Sequence, residues 1–259
     1  MDLKLKDKVA IVGGASQGIG FGIARALAAE GAKLAITARR EKALREAAEK
    51  IRAETGSEVL ALPADGRRAD DCAAVVTLTT AHYGGLDILV NNDGAPPLGE
   101  LIKFDDKAWH DAIERNLMYV VRMCRAAVPH MKARHGGSVL NITAISAIQP
   151  IAGFGLSVAT WDAVIGYAKT LSLELAAAGI NVNTICPGYI ETERLQKVFA
   201  ADSQDPKVMR EKLAGEIAMQ RIGTVEDIAN IVAFLVSPRG NYITGTAIQV
   251  DGGLFRGLR

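Results

Sequence analysis

Short apolar runs alternate with longer stretches of helical periodicity along the whole chain. The short runs predict β-strands at Val9–Val12, Lys33–Thr37, Val59–Leu62, Ile88–Asn91, Val139–Thr143, Val182–Cys186 and Ala247–Val250. Each run is mostly apolar, as expected for strands covered by helices on both faces. The longer stretches predict helices at about 18–30, 41–55, 69–83, 106–133, 155–178 and 224–236. Strands and helices are therefore expected to alternate from one end to the other.

This alternation predicts an α/β fold with a Rossmann-type, doubly wound parallel seven-stranded sheet, right-handed crossovers and helices on both faces. A chain of 259 residues with 49% apolar content can bury the core of a single domain, which we place at 1–259. The polar stretch 191–219 is interrupted by Ser203-Gln204-Asp205-Pro206. We expect this stretch to leave the sheet and to serve as a substrate lid.

Charge and cysteine content narrow the choice of partners. Lys and Arg number 30 against 29 Asp and Glu, a net charge of +1, so no global field attracts nucleic acid or an anionic membrane. Cys72, Cys124 and Cys186 show neither disulfide-framework nor metal-ligand spacing, which favours a reducing compartment and no metal. No apolar run approaches the ~20 residues that span a bilayer, and the start lacks a signal core. We expect a cytoplasmic protein whose partners are a small-molecule substrate and its own copies.

A glycine-rich turn, Gly13-Gly14-Ala15-Ser16-Gln17-Gly18-Ile19-Gly20, joins the first strand to the first helix. Glycine permits positive φ and close approach of a phosphate to backbone N–H groups, and the helix N-terminus adds a partial positive charge. The spacing is neither GxGxxG nor a P-loop. The turn predicts phosphate binding, and the alternative is a tight turn that only packs helix on strand.

Further motifs occur in order along the rest of the chain. They are Asn91-Asn92-Asp93-Gly94, Asn116, Pro187-Gly188-Tyr189-Ile190-Glu191-Thr192, Ile243-Thr244-Gly245 and Val250-Asp251-Gly252-Gly253. Together with the glycine turn they resemble the short-chain dehydrogenases/reductases over nearly the whole chain. Gly13 stands where that family usually has threonine, and Asp93 stands where it usually has alanine.

The resemblance implies a set of cofactor contacts. The implied residues are Gly14, Ser16, Gln17, Gly18, Ile19 and Gly20 at the phosphates, Asp65 and Gly66 at the adenine, Asn92, Asp93 and Gly94 on the ribose and nicotinamide side, and Pro187, Gly188, Ile190 and Thr192 around the nicotinamide. Without the other motifs, Asp65 reads equally well as an ordinary loop acid that begins a turn.

Discrimination between the two nicotinamide cofactors should lie at the end of the second strand. An acid there would accept a hydrogen bond from the ribose 2′-OH, whereas an arginine would pair with a 2′-phosphate. Arg39 and Arg40 occupy this place and no acid does, so we expect NADP(H) to be preferred, with NAD(H) possible. The two arginines could also be solvated charges that open a helix. Gln17, where NADP-preferring members often carry a basic residue, offers only hydrogen bonds.

The family's catalytic positions are changed in this chain. Ile165-Gly166-Tyr167-Ala168-Lys169-Thr170-Leu171 resembles the continuation of the family's active-site helix, and this alignment puts the Tyr-x-x-x-Lys pair on Ser157 and Trp161. The catalytic serine falls on Ala144, and the active-site asparagine on Asn116. In the family pattern, lysine shares a helix face with tyrosine and lowers the tyrosine pKa.

These replacements leave Asn116 and Ser157 as the candidate catalytic residues, and Ser157 has no cation at position 161 to activate it. Ser146 and Asp93 remain open as replacement donors or as ordinary loop residues. The resemblance implies an NAD(P)-dependent oxidoreductase acting on an alcohol/carbonyl pair, with impaired or re-routed proton transfer. The alternative is a catalytically inactive dinucleotide-binding pseudoenzyme, a structural or regulatory subunit. By analogy, a homodimer or homotetramer paired through 106–133 and 155–178 is expected.

Overall fold

A computed structural model describes residues 1–92, 94, 96–200 and 205–257. Over these residues seven parallel strands form one sheet, in the order β3-β2-β1-β4-β5-β6-β7. The strands are β1 Val9–Val12, β2 Lys33–Ala38, β3 Val59–Pro63, β4 Ile88–Asn91, β5 Gly137–Ile142, β6 Ile180–Pro187 and β7 Ala247–Val250. The predicted α/β fold with a seven-stranded parallel sheet is therefore confirmed, with strand ends shifted by one or two residues.

The six predicted helices are present among the described residues, one of them broken in two, and two helices that were not predicted lie within 191–219. The helices are α1 Gly18–Ala29, α2 Glu41–Thr55, α3 Ala69–Tyr83, α4 Asp106–Ile113, α5 Tyr119–Ala133, α6 Gly155–Leu175, α7 Glu193–Ala200, α8 Pro206–Glu216 and α9 Val225–Leu235. The single helix predicted at 106–133 is divided by a π-helical turn at Glu114–Met118. Such turns insert one extra residue per turn and are frequent at functional sites.

Apolar side chains pack on both faces of the sheet, as a doubly wound fold requires. On one face α1, α2 and α9 cover the strands, through side chains such as Ile23, Leu44 and Ile228. On the other face α3, α5 and α6 do so, through side chains such as Met123 and Val164. Because both faces are covered, the strands carry continuous apolar runs rather than alternating ones.

The stretch predicted to leave the sheet contains α7 and α8, while residues 201–204 of it lie outside the described residues. A separate small core forms here, in which Leu195, Phe199, Ile217 and Leu254 pack with Ile145 from the loop after β5. The stretch is thus held against the carboxyl end of the sheet by apolar contact. Its role as a substrate lid stays a prediction.

The strand order places a crevice at the centre of the sheet. β1 pairs with both β2 and β4, so the connections after β1 and β4 run in opposite directions. In open α/β sheets ligands bind outside the carboxyl ends of the strands at this switch point. The glycine turn after β1 and the asparagine segment after β4 both end there.

Candidate functional site

The glycine turn is pressed against the asparagine segment that follows β4. Gly14 has φ of 56°, and a Cβ atom there would lie 2.2 Å from the carbonyl oxygen of Asn92. A Cβ atom on Gly20 would lie 2.5 Å from the Asn92 side-chain nitrogen, and Asn92 Nδ2 donates to the Gly13 carbonyl at 3.1 Å. The turn can adopt this path only because these positions lack side chains.

The N-terminus of α1 is open to an anion. Its N-cap, Gln17, makes no side-chain capping hydrogen bond, and the first turn contains no acidic residue. The Gln17 side chain instead accepts a hydrogen bond from the Arg40 guanidinium. The first N–H groups of a helix lack partners within the helix, and together with the helix dipole they bind phosphate well. The N-terminus of α1 therefore has the geometry to bind a phosphate group of a dinucleotide.

The Tyr119 side chain occupies the space that a Cβ atom would need at two glycines near the crevice. Tyr119 is buried, with 4% of its surface exposed, at the first residue of α5. A Cβ atom on Gly13 would lie 2.1 Å from the Tyr119 hydroxyl oxygen, and one on Gly66 would lie 2.4 Å from the Tyr119 ring. The threonine usual at position 13 in the family would collide with this hydroxyl. Gly13, Gly66 and Tyr119 therefore form one packing unit.

The charged residues at the ends of β2 and β3 differ in their surroundings. Arg39 is exposed and lines the main cavity, whereas Arg40 is exposed and contacts Gln17. Asp65 binds Arg67 through its side chain, and this hydrogen bond lowers the pKa of Asp65 to about 2. Asp65 is consequently ionised at neutral pH, and its carboxylate is paired with Arg67, two residues further along the chain. Gly66 lines a second, small cavity behind Gly14 together with Tyr119.

A main cavity of about 330 Å³ opens at the carboxyl ends of the strands. Its volume is in the range of small-molecule sites, roughly 300–1,000 Å³. The predicted cofactor residues that line it are Gly14, Gln17, Gly18, Ile19, Arg39, Asn92, Gly94, Pro187, Gly188, Ile190 and Thr192. Those that do not are Ser16, Gly20, Arg40, Asp65 and Gly66. Asp93 lies outside the described residues. The predicted phosphate and nicotinamide segments therefore face one shared space.

The four catalytic positions implied by the resemblance lie at different depths. Ala144 and Trp161 line the cavity, and Trp161 is 6% exposed. Ser157 is buried in α6 and is absent from the cavity lining. Asn116 lies in the π-helical turn, and its Nδ2 donates to Thr160 Oγ1 at 2.8 Å. The structure thus brings the indole into the cavity and leaves the Ser157 hydroxyl behind it.

Two buried hydroxyls near the cavity have no hydrogen-bond partner among the described residues. One belongs to Ser157 and the other to Ser146, which is 1% exposed and lines the cavity. A buried hydroxyl without a partner is costly unless a water molecule or ligand satisfies it. Ser146 is therefore better placed than Ser157 to hydrogen-bond to a molecule in the cavity.

Two arginines at the cavity were not among the residues selected from the sequence. Arg115 precedes Asn116 in the π-helical turn, and Arg194 is the second residue of α7. Both line the cavity, and Arg194 donates to the Gly94 carbonyl at 3.2 Å. The available signal was that Arg115 adjoins Asn116 and that Arg194 lies two residues after Thr192. It was weak, because nothing in the sequence indicates that a charge in 191–219 faces inward.

The described residues contain neither a metal-binding cluster nor a helix that could span a membrane. No cluster of three or more His, Cys, Asp or Glu that could hold a metal occurs in the part of the chain that the structure describes. The three cysteines are buried, and no disulfide joins any two of them. Within the same residues, every helix is too short or too polar to cross a bilayer.

Comparison with known proteins identifies the family. The family model for enoyl-(acyl carrier protein) reductase, a short-chain dehydrogenase model, matches residues 14–255. Dehydrogenase/reductase SDR family member 4 of Oryctolagus cuniculus is 35% identical over 250 residues, which cover 96% of this chain and 94% of that protein. The 3-oxoacyl-[acyl-carrier-protein] reductase FabG of Chlamydia muridarum is 35% identical over 98% of this chain and 100% of its own length. The chain belongs to the short-chain dehydrogenase/reductase family.

A solved structure agrees with this assignment. L-sorbose reductase from Gluconobacter frateurii, complexed with NADPH and L-sorbose, superimposes with a TM-score of 0.95 and 34% identity. The match covers 100% of both chains. The chain therefore belongs to an oxidoreductase family, and its fold matches that of a nicotinamide-dinucleotide-binding member over the whole chain.

The packing unit of Gly13, Gly66 and Tyr119 leads to a stability prediction. Gly13→Ala should lower the free energy of unfolding by about 1–3 kcal/mol, because the new methyl group overlaps the Tyr119 hydroxyl. In a Tyr119→Phe background the same change should cost less, because the nearest remaining ring atom is 3.3 Å away. Urea unfolding of the four proteins measures the coupling between the two sites.

Gly166→Ala in α6 is the matched control, because a Cβ atom there meets no atom within 4 Å. This change should be neutral or stabilising, as expected for alanine replacing glycine within a helix. Equal costs of Gly13→Ala in the native and the Tyr119→Phe backgrounds would contradict the proposed contact.

Proposed function

We propose that this protein binds NADP(H) and reduces carbonyl compounds, or oxidises the corresponding alcohols, with a proton transfer that does not use the family's tyrosine and lysine. The observation that carries the proposal is the continuous cavity that extends from Arg39 past the glycine turn to Ser146 and Trp161. The nicotinamide, when bound, supplies or accepts the hydride. The protein supplies the cradle, the orientation and the polar contacts.

The fit to a dinucleotide is supported by the shape of the cradle. Gly14 and Gly20 permit close approach at the N-terminus of α1, and Thr192 faces Gly18 across the crevice, with its methyl group 3.5 Å from a Cβ atom built there. These residues would hold the phosphates, while Pro187, Gly188 and Ile190 would bound the nicotinamide side. The NADPH complex of the sorbose reductase supports the same use of this fold.

The preference for NADP(H) is supported by charge at the end of β2. Arg39 presents its guanidinium to the cavity there, Arg40 lies beside it bonded to Gln17, and neither β2 nor the two residues after it include a carboxylate. A guanidinium binds a phosphate through paired, charge-assisted hydrogen bonds, whereas it has no acceptor for a ribose 2′-OH. This arrangement favours the 2′-phosphate of NADP(H) over the free hydroxyl of NAD(H).

Proton transfer is the step for which this chain is poorly equipped. Trp161 offers an indole N–H donor but no titratable proton, and Ser157 lies behind the cavity. Loss of a positioned general acid typically slows a reaction by roughly 10²–10⁴-fold. The Ser146 hydroxyl can donate a hydrogen bond to a carbonyl oxygen in the cavity, and solvent would supply the proton that this oxygen gains when the carbonyl carbon accepts the hydride. We therefore propose slow turnover with Ser146 as the polar contact to the substrate oxygen, while Asn116, which does not line the cavity, supports the helix face through Thr160.

One observation favours the second candidate, a dinucleotide-binding pseudoenzyme. The Trp161 side chain stands in the cavity wall where the resemblance puts a lysine, and a bulky ring there restricts the space beside the nicotinamide segment. In that case the protein would act as a structural or regulatory subunit. We also propose, by analogy with the family, that the protein is a cytoplasmic homo-oligomer.

Removing one charge at the end of β2 tests the cofactor preference. Arg39→Gln should weaken NADPH binding by roughly 10-fold or more and leave NADH binding almost unchanged, because only NADPH has the 2′-phosphate. Calorimetric titration of both cofactors measures the difference. The control is Arg45→Gln, the same change at an exposed residue of α2 that pairs with Glu41. Parallel losses for NADPH and NADH would contradict the assignment.

Restoring the family's pair tests the proton-transfer proposal. Ser157→Tyr combined with Trp161→Lys should raise single-turnover NADPH oxidation by roughly 10²–10⁴-fold over a panel of carbonyl compounds. Trp161→Met and the pair Ser157→Phe with Trp161→Lys are controls, because they change the space or the charge without adding a phenol. A gain of equal size in Trp161→Met would show that bulk, and not the missing acid, limits the native protein.

In the native protein, Ser146→Ala should reduce any slow hydride transfer more than Ser157→Ala does, because Ser146 faces the cavity. Rapid NADPH oxidation that survives both changes would contradict the proposed step. Binding of NADPH with no transfer to any member of the panel would favour the pseudoenzyme.

A further inference from the structure

Arg194 lies in an unusual electrostatic position within the main cavity. It is half-buried at the start of α7, and its guanidinium donates to one backbone carbonyl, that of Gly94. No ion pair of Arg194 occurs among the described residues, and the nearby Glu191 pairs with Arg210 instead. A guanidinium has five N–H donors, so most of them remain for another acceptor.

A second guanidinium belongs to the same cavity. Arg115 lines the same cavity, and its Cγ would lie 3.8 Å from a Cβ atom on Gly94, the residue whose carbonyl Arg194 contacts. Burial lowers the pKa of Arg194, and the charge of Arg115 lowers it further. Two like charges that face one cavity repel each other, and a bound anion relieves this repulsion.

The remaining surroundings select the kind of anion. The neighbouring walls are apolar, formed by Ile145, Ile151, Phe154, Trp161 and Tyr189. Among the described residues that line the cavity, Glu193 is the one carboxylate, but it is exposed and forms no ion pair with Arg194 there. A small inorganic ion would leave the apolar walls uncovered. An organic molecule with an apolar body and a terminal carboxylate would cover the apolar walls and also pair with the guanidinium groups.

We infer that Arg194, assisted by Arg115, binds the carboxylate of the substrate, so that the substrates of the proposed reaction are keto acids or hydroxy acids with an apolar body. This inference rests on the proposed function for the reaction itself. The binding event does not depend on hydride transfer and can be measured without it. The competing source of the anion is a phosphate of the cofactor.

Calorimetric binding of 3-benzoylpropionate and of its methyl ester tests the inference. The two probes share the aromatic ring and the ketone and differ in the carboxylate charge. At fixed salt concentration the acid should bind the native protein roughly 10- to 100-fold more tightly than the ester, as expected for charge-assisted hydrogen bonds. Equal affinity for acid and ester would overturn the inference.

Variants of Arg194 assign the effect to this residue. Arg194→Gln should remove the preference for the acid and leave ester binding unchanged, whereas Arg194→Lys should retain part of it. Arg239→Gln is the control, because Arg239 is exposed and donates to the Asp2 carbonyl, outside the cavity lining. A thermal unfolding scan of each variant verifies folding, and the native acid–ester comparison stands even where a variant fails to fold.

Titration of the same variants with NADPH separates the two sources of anion. An Arg194→Gln protein that loses NADPH affinity and keeps its preference for the acid would overturn the inference and assign Arg194 to a cofactor phosphate. Tight binding of the acid without any hydride transfer would contradict the proposed function and leave the carboxylate site intact.

Discussion

The close approach of the glycine turn to the segment after β4 is the constraint on which the site depends. Gly14 and Gly20 contact Asn92 at distances that exclude a Cβ atom. This contact fixes where α1 begins and where its N–H groups point. The cradle is therefore maintained by backbone packing and is independent of the residues that would move a proton. On the proposed alignment this chain lacks the family's tyrosine and lysine, yet it keeps the geometry of the glycine turn.

Much of the fold could be predicted from the sequence, because strands covered on both faces carry unbroken apolar runs. β1, β4 and β7 begin and end at the residues predicted. The π-helical turn at Glu114–Met118 could not be predicted, since its residues continue the helical pattern on both sides. An extra residue within a helix changes which side chains face the site without changing the apolar periodicity.

The site was predictable only where a motif is continuous along the chain. Asn92 and Thr192 belong to such motifs, and the structure places both at the cavity. Arg194 gains its environment from Gly94, which is 100 residues away, and Tyr119 acts on Gly13 and Gly66 from a third segment. A single sequence does not show such pairings. The sequence shows that Gly13 stands where the family usually has threonine. It does not show the contact with Tyr119 that explains this difference.

The distribution of positive charge distinguishes this cavity from the family pattern that it resembles. On the proposed alignment, the cation expected on α6 is replaced by Trp161, while Arg194 provides a cation at the start of α7. A lysine on α6 would act on a neighbouring tyrosine, and no tyrosine is present at position 157 to be activated. A cation on α7 would act instead on a molecule that enters the cavity beside α7. On our proposal the charge serves recognition rather than acid–base chemistry, and the apolar indole lowers the local polarity in which that recognition would occur. Binding of a substrate carboxylate can by itself accelerate hydride transfer. It holds the substrate carbonyl in a fixed position relative to the nicotinamide and so removes much of the entropic barrier.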